Sequence, residues 1–118
     1  LIAPRSEFNR NTETAMAWVI LFIAGIFEIV WASAMKQSHG FTRVLPSIVT
    51  FVAAGLSFWL LAHAMRVLPL GTAYAVWTGI GAVGAFVVGI ALMGEAATVG
   101  RIVSVSLIVA GIAGLRLS

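Results

Sequence analysis

The sequence predicts an all-α membrane protein with four transmembrane helices per chain, and three observations predict it. Hydrophobic residues make up 61% of the 118 positions and charged residues 9%, whereas a soluble domain carries about 25% charged residues. Mean hydropathy is +1.08, and a water-soluble fold of this length keeps too much surface exposed to hide so apolar a chain. The apolar residues also gather into four stretches, each close to the ~20 residues that a helix needs to cross a hydrocarbon core of about 30 Å. Barrel strands would be about ten residues long with alternating polarity, a pattern absent from this sequence.

Residues 1–15 form a polar leader with Arg5, Glu7, Arg10 and Glu13 and without the apolar core of a signal peptide. Either it is an expression remnant ahead of a start at Met16, the favoured reading, or a natural polar leader. Residues 16–118 then form a single four-helix domain. The first helix is expected over about residues 16–35, ending at Lys36. The second covers about 44–65, with Pro46 suited to a first helical turn. Leu68 and Pro69 break the chain before the third, over about 70–92, and the fourth covers about 99–115. The connections are short, so whatever the protein does happens within the membrane or at its faces.

Four spans put both termini on one side. From Met16 onward, Lys36, Arg43 and Arg101 fall on the side of the first and third loops, and Arg66 and Arg116 on the side of the termini. Orientation is fixed by an excess of Lys and Arg on one side, and this chain has almost none. Charge alone therefore leaves two readings open: insertion in both orientations, or one orientation set by another determinant. The basic residues are scattered rather than clustered, which suits the lipid bilayer and excludes a nucleic-acid partner. With no cysteine and no His, Asp or Glu at ligand spacing to His39 or His63, neither a metal nor another cofactor is expected. No nucleophile–base pair is visible, so the chain does not read as an enzyme.

Glu28 carries the strongest functional signal. It lies about 18 Å along a helix that starts at Met16, near mid-membrane, where an acid marks an ion or substrate path. All the basic residues lie near helix ends, so none shares its depth. Hydrocarbon favours the neutral carboxyl and a cationic ligand the charged one, so one group can exchange a proton for a cation. Trp31 follows one turn later on the same face, and Tyr74 and Trp77 repeat the spacing in the third helix. Such rings hold cations and donate N–H and O–H bonds to carboxylates. Trp18 and Trp59 fit an interfacial or lipid-facing place instead. Ser57 is a mid-helix hydroxyl whose plainer reading is a bond to a carbonyl one turn back, and the same holds for Thr78, Ser104 and Ser106. Gly81, Ala85 and Gly89 form a ridge of small residues that admits another helix closely, while Ser104, Gly111 and Gly114 mark the fourth helix for assembly. Glu95, in the third loop, is expected to be simply solvated.

These residues resemble a known family. Glu28-Ile-Val-Trp31, Met35-Lys36, Gly40-Phe-Thr-Arg43, Pro46-Ser47, Ser57-Phe58-Trp59-Leu60-Leu61 and Gly71-Thr-Ala-Tyr-Ala-Val-Trp-Thr-Gly-Ile-Gly81 resemble the small multidrug resistance transporters over nearly all of residues 16–117. Trp31 beside the acid and the stretch from Gly71 through Trp77 resemble the guanidinium-exporting subtype; the drug-exporting subtype has a small residue in place of that tryptophan. The polar leader is the one departure. The resemblance implies an antiparallel homodimer of dual topology in the bacterial inner membrane, exchanging protons for a guanidinium-type organic cation, with broader multidrug and quaternary ammonium export as the alternative. It places Glu28 at the centre as the group that binds substrate and protons, Trp31, Ser57, Tyr74 and Trp77 as its hydrogen-bonding support, and the fourth helices at the dimer contact.

Overall fold

The computed structural model describes residues 6–118, and the first five residues of the expected leader lie outside these. Four helices follow one another: α1 (Glu7–Gln37), α2 (Val44–Ala64), α3 (Leu70–Met93) and α4 (Val99–Leu117). All four are long and apolar enough to cross a membrane.

α1 begins at Glu7, inside the leader, rather than at Met16. Local chemistry accounts for this. The Ser6 hydroxyl accepts from the Asn9 amide at 3.2 Å, satisfying one of the free donors at a helix start. Glu7 in the first turn complements the positive end of the helix dipole. Thr12 and Thr14 turn their hydroxyls onto carbonyls four residues back, so the polar turns satisfy themselves. A helix of 31 residues is about 46 Å long and outruns a ~30 Å hydrocarbon core. Its polar start therefore projects beyond the bilayer.

The turn between α1 and α2 is organised by Ser38, whose buried hydroxyl donates to the Met35 carbonyl at 2.6 Å and accepts from the Phe41 amide at 3.0 Å. This holds His39, Gly40 and Phe41 at φ of 49°, 71° and 66°, a left-handed run that glycine alone adopts freely. Phe41 stacks on Phe51 of α2, ring centres 5.4 Å apart. Gly94, in the left-handed region at φ 70°, ends α3. The Thr98 hydroxyl caps α4 by accepting from the Arg101 amide.

α1 packs against α2 and α3, α2 touches α3 only slightly, and α4 packs on α3, reaching α1 only through Arg116 over Trp18. The helices thus stand in a slightly curved row, α2–α1–α3–α4, and the chain is a slab of 55 × 36 × 18 Å. Small residues make the close contacts: Ala17, Ala24, Ala64 and Ala73 are buried around Leu21, Leu61, Val76 and Trp77. Lipid gives helices little hydrophobic reason to associate, so shape decides where they meet. α4 contributes no buried residue.

Both ends of the row agree with the charge assignment. His63 and Arg66 share a cavity with Thr12, Glu13 and Met16, and the Arg116 guanidinium lies 4.7 Å over the Trp18 ring, so one face carries the start of α1, the end of α2 and the end of α4. On the other face Lys36 and Glu95 line one cavity. There Glu95 is bonded rather than free. Its carboxylate accepts from Arg101 at 3.0 Å and lies against the Gly89 backbone, and Arg101 also donates to the Ala96 carbonyl at 2.7 Å.

Candidate functional site

Glu28 sits on α1 where α1 meets α3. Counted along the helix, it is about 18 Å from Met16 and about 12 Å from Lys36, the first basic residue beyond it. Its carboxyl rests on the backbone of Gly81, where a Cβ would collide with the carboxyl carbon and Oε2. The small ridge foreseen on α3 thus receives side chains of the same chain, from α1 and from the third loop. Gly81 receives Glu28, Gly84 receives the Ile29 side chain, Ala85 shares a cavity with Ala32 and Lys36, and Gly89 receives Glu95. The reciprocal contact is Gly25 of α1 against Ile80 of α3. Glycines on both helices bring the backbones close enough for a carboxyl to lie flat between them.

Glu28 Oε2 is buried without a hydrogen-bond partner among the described residues, and so is Trp31 Nε1, one turn along the same helix. Buried polar atoms are nearly always paired, and leaving one unpaired costs about 1–3 kcal/mol. An orphaned acceptor and an orphaned donor on one helix face therefore mark a surface that is completed by something else. No ion pair joins Glu28 to any described residue.

Behind the acid runs a buried relay. Trp77 Nε1 donates to Ser57 Oγ at 2.9 Å, and Ser57 Oγ donates to the Ala24 carbonyl at 2.7 Å. In a helix that carbonyl accepts from the amide of residue 28. α1, α2 and α3 are thus stitched at the level of the acid, but through the α1 backbone and not through the carboxyl. Ser57 is fully buried and Trp77 nearly so, so this single chain hides both from any ligand. Ser57 spends its one proton on Ala24 and keeps a lone pair. The plainer alternative for Ser57, a bond to a carbonyl one turn back in its own helix, gives way to a bond across helices.

Aromatic rings continue the wall. Phe58 lies between Trp31 and Trp77, with ring centres 6.2 and 5.8 Å away, and Tyr74 packs on Trp77 at 5.5 Å. The spacing arguments passed over Phe58, although it follows Ser57 directly. Tyr74 is 54% exposed. Trp59 stacks on His63 and is exposed, and Trp18 packs under Arg116 at the terminal face, as an interfacial residue does. Thr78 is exposed. On α4, Ser104 and Ser106 bond to carbonyls one turn back in their own helix. Gly111 and Gly114 are open, with nothing within 4 Å of a Cβ placed on them, while Ile108 and Ile112 face Gly79 of α3. Among the described residues no group of three or more His, Asp or Glu side chains is arranged to hold a metal.

Four membrane-length helices with one acid at mid-span define a multi-pass membrane protein. The Small Multidrug Resistance protein family matches residues 16–108. The guanidinium exporter of Yersinia pseudotuberculosis is 60% identical over 103 residues, which are 87% of this chain and 99% of that protein. The guanidinium exporters of Citrobacter freundii and Salmonella typhimurium are each 59% identical over the same length, covering 98% of each. The chain belongs to the small multidrug resistance family.

Proposed function

We propose that the protein exports guanidinium, and small substituted guanidinium cations, across the bacterial inner membrane in exchange for protons, with Glu28 binding both in turn. The observation that carries this reading is the Glu28 carboxyl at mid-membrane, walled by Gly81, with Oε2 unpaired beside the unpaired Trp31 indole. Guanidinium is planar and offers N–H pairs that fit a carboxylate in a fork. The relatives at about 60% identity are named for that cation. A proton and a cation compete for one carboxylate, which couples their movements. The test is to add guanidinium to the purified, weakly buffered protein and follow pH. Protons should be released in proportion to bound guanidinium. Binding without release would leave a guanidinium carrier and remove the exchange.

The working unit in this reading is an antiparallel homodimer. A row of helices 18 Å thick surrounds its acid on one side only, and a second copy supplies the other wall and a second Glu28. Two such carboxyls titrate as a coupled pair, and one cation between them relieves their repulsion. The exposed Ser104 with Gly111 and Gly114 of α4, the two glycines having nothing within 4 Å of an added Cβ, provide the contact between copies. Larger transporters build alternating access from inverted repeats within one chain; here two oppositely inserted chains serve. A single cysteine placed at the C-terminus of this cysteine-free chain is expected to label from both sides of sealed vesicles, in similar amounts. Labelling confined to one side excludes the antiparallel pair.

Trp31 separates this reading from a broader exporter of drug and quaternary ammonium cations. Its ring, braced by Phe58 at 6.2 Å, fills space beside the acid. Trp31→Gly opens that space and removes an N–H donor. Proteoliposomes carrying it should transport a bulky quaternary ammonium that the native protein rejects, with weaker preference for guanidinium. Unchanged selectivity would show that the ring does not set the cavity's size.

A further inference from the structure

A further cavity adjoins α3 and shares only Ile80 with the seam that holds the acid. It is a groove of about 310 Å³ between α1, α3 and α4, lined by Trp18, Phe22, Val76, Ile80 and Ile112, with Arg116 at its mouth. Its depth is readable from the helix rise. Trp18 stands at the terminal face, and Ile80 packs on Gly25 seven residues further along α1, so the groove runs about 10 Å inward. One leaflet of a ~30 Å core is about 15 Å deep. The groove therefore spans most of the outer part of a leaflet, from headgroup level towards the middle.

Its chemistry is divided in the same way. Below the mouth every wall is aliphatic or aromatic. At the mouth Arg116 is the one charged lining residue. Its guanidinium lies 4.7 Å over the Trp18 ring, which fixes its plane by a cation–π contact and leaves its N–H edges free of any hydrogen bond or ion pair among the described residues. A cation held in place above an apolar slot complements a molecule with an anionic head and a hydrocarbon tail. The slot also stays open in the dimer proposed above. At 100° per residue, Val109 and Arg116 share one face of α4, and Ser104 and Gly111 share another about 140° away. The face given to the second copy thus points away from the groove.

We propose that this groove is a binding site for an anionic phospholipid, with one acyl chain along Phe22, Ile80 and Ile112 and the phosphate on Arg116. A single basic side chain near the membrane surface favours an anionic headgroup by about fivefold, and that is the preference expected. It is read as the selectivity of the motionally restricted fraction of spin-labelled phosphatidylglycerol over spin-labelled phosphatidylcholine, in phosphatidylcholine vesicles holding the full protein. The native chain should prefer the anionic lipid about fivefold, and Arg116→Lys should keep most of that preference. Arg116→Gln should reduce it to unity. Val109→Trp, at an exposed position that lines the groove, should fill the slot and lower the selectivity although Arg116 remains. Helix content by circular dichroism checks that each variant is folded. Equal restriction of the two lipids by the native protein overturns the site. So does a preference that survives Arg116→Gln. A preference lost in Arg116→Gln but untouched in Val109→Trp assigns the effect to charge alone and overturns the groove.

Discussion

Glu28→Gln is expected to abolish guanidinium binding and proton exchange together while leaving the protein folded. The substitution keeps the shape that fits against Gly81 and removes both the charge and the titration. Taking one partner from a desolvated charge pair costs about 2–5 kcal/mol, which is roughly thirtyfold to several thousandfold in affinity. Stability should hold, because no described residue pairs with the native carboxyl and Oε2 is already without a partner. Glu28→Asp should behave differently. The carboxylate persists at altered reach, so exchange continues with a shifted pH optimum. The measurement is electrogenic transport in proteoliposomes at several pH values. A guanidinium-driven current persisting in Glu28→Gln would sink the exchange mechanism. A current lost equally in both variants would mean that the position matters for packing rather than for its proton.

Much of this architecture is legible in the sequence, because lipid imposes a simple rule: an apolar run of the right length must be a helix. The spans, the depth of Glu28 and the absence of a cation at that depth all follow from counting along the chain. Other features leave no such signal. The start of α1 at Glu7 comes from a serine cap and self-satisfied threonines, which a search for apolar runs passes over. The spacing of Gly81, Ala85 and Gly89 says that something can approach but not what, and the answer is α1 of the same chain at Gly81 and Glu95 of the third loop at Gly89. The acceptor for Ser57 is a backbone carbonyl on another helix, and carbonyls carry no residue-type signature. Phe58 becomes part of the wall only once α2 is set beside α1 and α3. Glu95 meets Arg101 across a turn, six positions on, outside the spacing that helical pairs obey.

That internal seam makes Gly81 the second position of large expected effect. A methyl at residue 81 would occupy the space of the Glu28 carboxyl carbon and Oε2. The helix backbone behind it cannot yield without moving α3, so either the carboxyl swings off the seam or the two helices part. Overpacking of this kind costs about 1–3 kcal/mol, and here the strain falls on the functional group itself. Gly81→Ala should weaken guanidinium affinity by roughly five- to 150-fold, because an acid displaced from its wall no longer meets the cation in the same plane. Gly84→Ala is the control. Its methyl would meet the Ile29 side chain in the same seam, so the packing cost is similar but bears on an apolar group. Thermal unfolding in detergent should fall by comparable amounts in both variants. Calorimetric titration with guanidinium should show the affinity loss in Gly81→Ala and little change in Gly84→Ala. Equal affinity losses would place the effect in helix separation, and undiminished affinity in Gly81→Ala would mean that the glycine does not position the carboxyl at all.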